Sequence, residues 1–245
     1  MFEVKVPMTS ANVACGFDTL GLALQTHSVF HFELNDKLDF VGFEKEFCNE
    51  DNLVYIAFKK TLNFLNKSVN GVKISLIEQA PIARGLGSSA TCVVAGIFGA
   101  YLLTGTEINK NDILKIATEL EGHPDNVMPA IFGGMVLTAC DEGETVYSIL
   151  PTADNLCFYV MIPNFKLSTE KSRSVLPKAY SAHDAVNNIA KLGLLVDSFI
   201  KGKYDSLRFL LGDKIHQPYR FSLINDSDKI FDFSKKHNAL GEYIS

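Results

Sequence analysis

A glycine- and serine-rich segment contains the residue types that point most directly to chemistry. Residues 81–90 read Pro-Ile-Ala-Arg-Gly-Leu-Gly-Ser-Ser-Ala. The two glycines can take positive φ angles and allow a ligand to approach the backbone closely. The serines stand where a helix would begin, and the free N–H groups and positive dipole of a helix start attract anions. We therefore predict an anion site here, with a nucleotide phosphate as the anion.

The flanking residues support this prediction. An alternating run at 72–77 is typical of a strand, and apolar residues with helical spacing follow the loop: Ala90, Val93, Val94, Ile97, Phe98 and Tyr101. A lone Gly-x-Gly would favour a plain capped turn before a core helix. Gly-Leu-Gly-Ser-Ser-Ala between a strand and a helix is much more specific.

A second polar cluster covers residues 121–126, which read Glu-Gly-His-Pro-Asp-Asn. A carboxylate such as Glu121 near a phosphate loop can hold Mg²⁺, which prefers oxygen ligands and is usually shared with substrate phosphates. His123 has no partner histidine at helical spacing, so zinc is disfavoured. The alternative interpretation is a helix that ends at Gly122 and is followed by a turn.

Other polar residues allow both a functional and a structural interpretation. Asn12 and Asp18 lie in a loop of small residues, where turn formation would also explain them. Arg173 and Arg220 could clamp a carboxylate through their planar donor forks, or they could be exposed in a capped helix and a turn. Asn52 either caps a helix or faces an adenine ring.

Composition excludes several classes of protein. The chain has 245 residues, of which 47% are hydrophobic, and a net charge of −5. A weakly acidic globular chain does not favour a nucleic-acid surface, and no apolar run approaches the about 20 residues that a membrane helix needs. The five cysteines form no Cys-x-x-Cys pair. They are typical of reduced thiols, so we expect a cytoplasmic protein. From the net charge and the lengths of the apolar runs, we expect contact with neither nucleic acid nor membrane.

Strands and helices mix without strict alternation, which favours an α+β fold in two layers. Residues 151–155 form a polar break, and we predict domains at 1–153 and 154–245. In the second domain we predict a buried strand at 156–162, a long amphipathic helix at 185–200 and a final strand at 239–244.

Five segments in sequence order resemble the GHMP family of small-molecule kinases, and within it the branch that acts on L-homoserine. The loop at 81–90 is similar to the family's glycine-rich motif. The other four segments lie at 10–21, 121–134, 169–177 and 216–220. Val13-Ala14-Cys15 departs from the usual Leu-Gly-Pro. The resemblance covers nearly the whole chain.

The resemblance implies a two-domain α+β fold. An N-terminal domain with a left-handed βαβ crossover would be joined to a ferredoxin-like C-terminal domain. The implied activity is ATP-dependent transfer of the γ-phosphoryl group to the side-chain hydroxyl of L-homoserine, a step of threonine biosynthesis. The implied partners are ATP, Mg²⁺ and L-homoserine, and the family also allows a homodimer.

The resemblance also implies a role for each matching residue. The triphosphate would be wrapped by Pro81, Ile82, Ala83, Arg84, Gly85, Leu86, Gly87, Ser88, Ser89 and Ala90, with Asn52 and Val54 bordering the adenine. Ser89 and Glu121 would hold Mg²⁺. The amino acid would be surrounded by Asn12, Asp18, His123 and Asn126, and its carboxylate gripped by Arg173 and Arg220. Thr169, Arg173 and Asn12 would lie at the catalytic position, with Thr169 near the reacting hydroxyl.

Relatives carry a third motif of Gly-x-Gly-Pro-Thr type, and this sequence ends at Ser245, where that motif should start. We therefore expect one of two cases: either the sequence is a fragment, or the protein lacks part of its active-site wall and one sheet strand, which leaves the C-terminal domain incomplete. Two other functions stay open. One is phosphorylation of a mevalonate-like alcohol, and the other is a catalytically weak protein that binds ATP and an amino acid.

Overall fold

A computed structural model describes residues 1–79, 81, 84–165 and 167–245. The chain divides into two compact units, each assembled from separate stretches of sequence. The first contains residues 1–9, 23–82 and 86–133, and the second contains residues 10–22, 83–85 and 134–245. The boundary at residue 153, which the sequence suggests for the family domains, stays a prediction.

The first unit is built around antiparallel and parallel strand pairs. Its strands are β1 (Phe2–Ser10), the part of β2 (Leu20–Asn35) from residue 23 onward, β3 (Asp39–Val41) and β4 (Gly71–Glu78). β1 also pairs with β2. β2 runs antiparallel to β4 with Phe32 opposite Ile74, and β3 runs parallel to β4.

Four helices complete the first unit: α1 (Leu53–Phe64), α2 (Ser88–Thr104), α3 (Lys110–Glu121) and α4 (Pro124–Phe132). A short 3₁₀ helix, Lys45–Phe47, precedes α1. Because α1 lies between β3 and β4, which are parallel neighbours, the three elements form a βαβ connection. The left-handed sense of the crossover stays a prediction.

Helix α2 is the centre of this unit's core. It is apolar on all sides, and Val93, Val94 and Ile97 are fully buried, as expected for a helix without a solvent face. Helix α1 approaches it closely at Gly96, where an added Cβ would lie 2.1 Å from the carbonyl oxygen of Val54. The missing side chain at Gly96 therefore sets the distance between α1 and α2.

The second unit pairs residues 20–22 of β2 with β5 (Met135–Asp141), which in turn pairs with β6 (Glu144–Leu150). Its helices are α5 (Thr169–Ser174), α6 (Ala182–Lys201), α7 (Leu207–Leu210), α8 (Gln217–Arg220) and α9 (Ser227–Lys236), with a 3₁₀ turn at Phe221–Leu223. Ser181 caps α6 by accepting the N–H of Asp184, and Gly202 ends the helix. The predicted long amphipathic helix is thus confirmed.

Two strand predictions in this unit are wrong. Residues 156–162 form no strand, and Tyr159 is 90% exposed. Residues 239–244 form no strand either, and the N–H of Ile244 bonds to the side-chain oxygen of Gln217. An apolar run becomes a strand only if another strand offers a ladder of hydrogen bonds, and the described residues offer none to these segments. The ferredoxin-like arrangement remains an implication of the family resemblance.

The predicted α+β class is confirmed by the mixture of paired strands and helices. Among the residues that the structure covers, no helix combines the length and the apolar character that crossing a bilayer would require.

Two helical glycines give a matched test of the packing between α1 and α2. Gly96→Ala should destabilise the protein by about 1–3 kcal/mol, because overpacking a close helix contact forces backbone shifts. Gly193→Ala in α6 should stabilise it by about 0.5–1 kcal/mol, since an added Cβ meets nothing within 4 Å there. Urea unfolding midpoints measure both effects, and equal shifts for the two variants would contradict this account of Gly96.

Candidate functional site

The start of α2 presents backbone N–H groups that the helix itself does not pair. Gly87 precedes the helix with φ of +62°, and the first helical bond runs from the N–H of Thr91 to the carbonyl of Gly87. The N–H groups of Ser88, Ser89 and Ala90 therefore have no acceptor within the helix. Ser88 is half-buried and Ser89 is exposed. This is the geometry of an anion site at a helix N-terminus.

The turn at Gly87 is held by Thr9, a residue whose role the sequence did not reveal. The N–H of Thr9 donates to the carbonyl of Leu86 at 3.3 Å, and the Thr9 hydroxyl donates to Oδ1 of Asn126 at 2.7 Å. A Cβ at Gly87 would lie 1.9 Å from Oγ1 of Thr9. Only glycine combines the left-handed φ with this close approach.

Ser89 and Glu121 bring two oxygen ligands together. The Ser89 hydroxyl donates to Oε1 of Glu121, the last residue of α3. Burial raises the pKa of the Glu121 carboxyl, and the hydrogen bond from Ser89 opposes part of that rise. Gly122 ends α3 with φ of +75°. The alternative interpretation of residues 121–126, a helix that ends at Gly122, is therefore confirmed.

The remaining residues of the 121–126 cluster begin α4. His123 is the N-cap residue and is half-buried, and Pro124 occupies the first helical turn. Asn126 belongs to this first turn, and its Oδ1 is the atom that accepts from Thr9. The cluster is therefore connected to the turn at Gly87 through one side-chain hydrogen bond.

The glycine loop also includes positions 81–86, which precede this turn in the sequence. Ile82 and Ala83 fall outside the described residues, so their predicted phosphate contacts stay predictions. Pro81 is half-buried and Gly85 is exposed. The guanidinium of Arg84 donates to the carbonyls of Pro163 and Phe165. Arg84 thus connects the loop to the segment that leads into α5, a contact that sequence reasoning did not foresee.

Asn52 and Val54 have clear structural roles. Oδ1 of Asn52 accepts the N–H of Val54 at 2.9 Å, which caps α1, and its Nδ2 donates to the carbonyl of Phe47. Val54 is fully buried. The helix-cap interpretation of Asn52 is therefore confirmed, and contact of either residue with adenine stays a prediction.

In the second unit, the loop at residues 12–18 has an unusual backbone. Asn12, Ala14 and Asp18 all adopt left-handed φ angles of 52–56°. Asparagine and aspartate tolerate this region, but alanine seldom enters it. Oδ1 of Asn12 accepts the N–H of Asp18 at 3.1 Å and so holds the loop closed. Strained backbone of this kind clusters at functional sites.

Asp18 and Arg173 form a bidentate ion pair. Nη2 of Arg173 lies 2.6 Å from Oδ1 of Asp18, and Nη1 lies 3.2 Å from Oδ2. Both side chains are 31% exposed. Nε of Arg173 is buried and, among the described atoms, has no hydrogen-bond partner. Arg173 lies in α5, which Ser168 caps and which Thr169, an exposed residue, begins.

Arg220 is not an exposed turn residue, so that structural alternative is wrong. It ends α8 and is only 4% exposed. Its Nε donates to the carbonyl of Ser172 at 3.4 Å, and its Nη1 lies 3.4 Å from Nδ1 of His216. The carbonyl contact connects Arg220 to α5, the helix that carries Arg173.

Asp213 organises the start of α8. Its Oδ1 accepts from the N–H of Ile215 and from Nδ2 of Asn188, and its Oδ2 accepts from the N–H groups of His216 and Gln217. A sequence signal was present, because an acidic side chain a few residues before a Gln-Pro helix start is a candidate acceptor for the N–H groups that follow it. Asp213 and Asn188 are structural supports that sequence reasoning missed.

The predicted site residues thus fall into two connected groups. In the first unit, Ser89 meets Glu121, and the turn at Gly87 meets Asn126 through Thr9. In the second unit, Asn12 holds Asp18, which pairs with Arg173, and Arg220 packs beside the same helix. No cluster of three or more metal-binding side chains is found within the part of the chain that the structure describes.

Known proteins resemble the chain over its whole length. A family profile described as GHMP kinases N terminal domain matches residues 52–134. A homoserine kinase of Clostridium beijerinckii is 44% identical over 247 residues, which are 100% of this chain and 83% of that protein. The homoserine kinase of Clostridium acetobutylicum is also 44% identical and is covered to 84%.

Solved structures agree with the sequence relatives. A homoserine kinase from Cytophaga hutchinsonii superposes with a TM-score of 0.85 at 29% identity, covering 98% of this chain and 80% of that one. A mevalonate kinase of L. major, 12% identical with a TM-score of 0.70, shares the fold alone. The chain therefore belongs to the GHMP kinases, and within them to the homoserine kinase family.

The cap at Asp213 gives a direct stability test. All four of its hydrogen-bond partners are donors, so the isosteric Asp213→Asn must place an amide NH₂ against a donor in either orientation. We expect a loss of about 2–4 kcal/mol in unfolding free energy, from broken bonds to a charged acceptor and a newly buried mismatch. The exposed Asp205→Asn is the matched control and should change stability by less than about 0.5 kcal/mol. Chemical denaturation compares the two, and similar values for both variants would refute the role of Asp213.

Proposed function

We propose that this chain transfers the γ-phosphoryl group of ATP to the side-chain hydroxyl of L-homoserine, giving O-phospho-L-homoserine and ADP. The observation that carries the proposal is the charge arrangement in the second unit. A carboxylate, Asp18, and two guanidinium groups, Arg173 and Arg220, lie in one connected group of residues. This set of charges is complementary to the ammonium and carboxylate of a free amino acid.

The start of α2 supports binding of the triphosphate. The N–H groups of Ser88, Ser89 and Ala90 point away from the helix and add to its positive dipole end, which favours phosphate oxygens. Because phosphoryl transfer spreads charge over the equatorial oxygens, fixed N–H donors at this place stabilise the transition state without reorganising.

Ser89 and Glu121 are a fitting pair of protein ligands for Mg²⁺. They supply one hydroxyl and one carboxylate oxygen that already lie in contact. Mg²⁺ is usually held by one or two protein oxygens together with waters and substrate phosphates, so a larger protein cluster is not needed. When bound, the ion would neutralise phosphate charge. Glu121 would hold it, and Ser89 would exchange its hydrogen bond to the carboxylate for metal coordination.

The ion pair between Asp18 and Arg173 can be replaced by the two charges of homoserine. The substrate ammonium would take the place of the guanidinium at Asp18, and the substrate carboxylate would take the place of the aspartate at Arg173. The buried Nε of Arg173, which has no partner among the described atoms, offers a further donor. An unsatisfied buried donor costs about 1–3 kcal/mol, and satisfying it would favour the bound state.

The reaction itself needs alignment more than a strong base. In a loose phosphoryl-transfer transition state, the attacking hydroxyl and the leaving oxygen lie in line with phosphorus, and the hydroxyl proton can pass late to the transferred phosphate. Thr169 would orient the hydroxyl. Asn12 would keep Asp18 in position for the ammonium, since its Oδ1 accepts the Asp18 N–H. His123 and Asn126 are further proposed substrate contacts.

A direct assay tests the proposal. ADP release should depend on L-homoserine and should be absent with mevalonate, which has no ammonium to pair with Asp18. KM for 3-aminopropan-1-ol, which lacks the carboxylate, should be about 10- to 100-fold higher, since one charged contact is worth about 1.5–3 kcal/mol and Arg173 would lose its partner. Homoserine binding without ADP release would identify a catalytically weak binding protein instead.

The raised pKa of Glu121 makes Mg²⁺ dependence a function of pH. The carboxylate must be deprotonated to bind the ion, and burial favours its protonated form, so activity should fall on acidification at a pH above the ordinary carboxyl range. Added Mg²⁺ competes with the proton and should move this acid limb to lower pH.

Glu121→Gln provides the comparison. It should lower turnover at limiting Mg²⁺ by about 10- to 100-fold, as other losses of a metal-binding interaction do. Its acid limb should no longer move with Mg²⁺ concentration. Exposed Glu119→Gln, on the same helix, should behave as the unaltered protein. An acid limb that ignores Mg²⁺ in the unaltered protein would exclude Glu121 as a ligand.

A further inference from the structure

Phe17 lies at the centre of the charged group in the second unit, and no step of the proposed reaction uses it. Its ring centroid is 5.6 Å from Cζ of Arg173 and 5.3 Å from Cζ of Arg220. Guanidinium groups within about 6 Å of an aromatic centroid are attracted by the negative face of the ring. One half-buried ring therefore contacts both cations proposed to hold the substrate carboxylate.

His216 fixes this ring from one side. The two rings stack with centroids 5.2 Å apart and an interplanar angle of 22°. His216 is fully buried, and burial lowers the pKa of its imidazole, so the ring is neutral at pH 7. The stacked neighbour consequently adds no third positive charge beside Arg173 and Arg220.

The hydrogen bonds of His216 define its tautomer and its position. Nη1 of Arg220 can only donate, so Nδ1 of His216 accepts from it at 3.4 Å, and Nε2 carries the proton that it donates to the carbonyl of Ala14 at 2.9 Å. Ala14 belongs to the strained loop that carries Phe17. His216 is thus tied to the loop on one side and to Arg220 on the other.

The two guanidinium groups repel each other, and the ionic partner of Arg173, Asp18, is one that the substrate would displace. An attraction common to both cations helps to keep them close once Asp18 turns to the ammonium. The ring of Phe17 supplies it without competing for the carboxylate, because a π-face accepts cations and offers no hydrogen-bond donor or acceptor to an anion.

We propose that Phe17 is a positioning residue for substrate specificity, whose ring holds the guanidinium groups of Arg173 and Arg220 in place for the carboxylate of the amino acid. This inference rests on the proposed function. It assigns the selectivity for an amino acid over a simple alcohol partly to an aromatic side chain that does not contact the reacting atoms.

Steady-state kinetics of Phe17→Leu and Phe17→Tyr test the proposal. Leucine keeps an apolar side chain of similar size but loses the π-face, so KM for L-homoserine should rise about tenfold, while kcat and the KM for ATP change by less than about threefold. Tyrosine keeps the ring and should restore KM to within about threefold. Phe209→Leu is the control, since it removes an aromatic contact with Lys191 elsewhere in this unit.

A carboxylate-free substrate separates positioning from a general loss of structure. With 3-aminopropan-1-ol, Phe17→Leu should match the unaltered protein, because no carboxylate needs the two arginines. Equal KM values for homoserine in Phe17→Leu and the unaltered protein would overturn the proposal. So would a loss in Phe17→Leu that tyrosine fails to restore, or one that appears equally with 3-aminopropan-1-ol.

A crystal structure of Phe17→Leu with L-homoserine bound and no ATP gives a readout that does not depend on the reaction. The guanidinium groups of Arg173 and Arg220 should lie farther apart than in the unaltered protein with the same ligand, and equal positions would overturn the proposal. If the unaltered protein did not phosphorylate homoserine, the proposed function would fail, and this structure would still decide whether the ring positions the arginines.

Discussion

The left-handed turn at Gly87 is the constraint on which the proposed phosphate site of the first unit depends. A side chain at this position would meet both an unfavourable φ of +62° and the hydroxyl of Thr9 at 1.9 Å. Because the turn is formed, α2 begins abruptly at Ser88, and its first N–H groups are left without carbonyl partners inside the helix. Their availability follows from backbone geometry, and the buried apolar surface of α2 keeps that geometry rigid.

The proposed substrate site of the second unit depends on a different principle, the pairing of charges in a partly buried place. Asp213 and Asn188 provide the fixed framework, since four donors converge on one carboxylate. Arg220 extends from this framework, whereas Arg173 and Asp18 form a pair with remaining exposure to solvent. A rigid cation beside an exchangeable ion pair is suited to accepting a zwitterion, because the two charges of the pair can be exchanged one for one with the ammonium and the carboxylate.

The sequence predicted those features whose causes are local. The strand, glycine turn and helix around residue 87 follow from neighbouring residues, as do the cap at Asn52 and the end of α3 at Gly122. The contact between Thr9 and Asn126 joins residues 117 positions apart, so no local pattern could reveal it. The pairing of Asp18 with Arg173 was equally hidden. The family resemblance assigned Asp18 and Arg173 to different groups of the substrate, and only the structure shows that the two side chains contact each other.

The predicted strand at 156–162 failed for a physical reason that is also non-local. Its residues have suitable strand propensity, but a strand exists only through hydrogen bonds to a neighbour, and propensity cannot say whether that neighbour is present. Residues 156–162 consequently belong to no strand, and side chains such as Tyr159 are exposed. Local preference and tertiary partners must agree before an element forms.

Amide NMR of the ¹⁵N-labelled protein would test the central claim most directly, namely that the N–H groups at the start of α2 grip the polyphosphate. On addition of a non-hydrolysable ATP analogue, the signals of Ser88, Ser89 and Ala90 should show the largest downfield shifts, as expected for N–H groups that acquire charged acceptors. The same signals should move far less with adenosine, which has no phosphates. Unchanged signals at these three residues, with shifts concentrated elsewhere, would contradict the account.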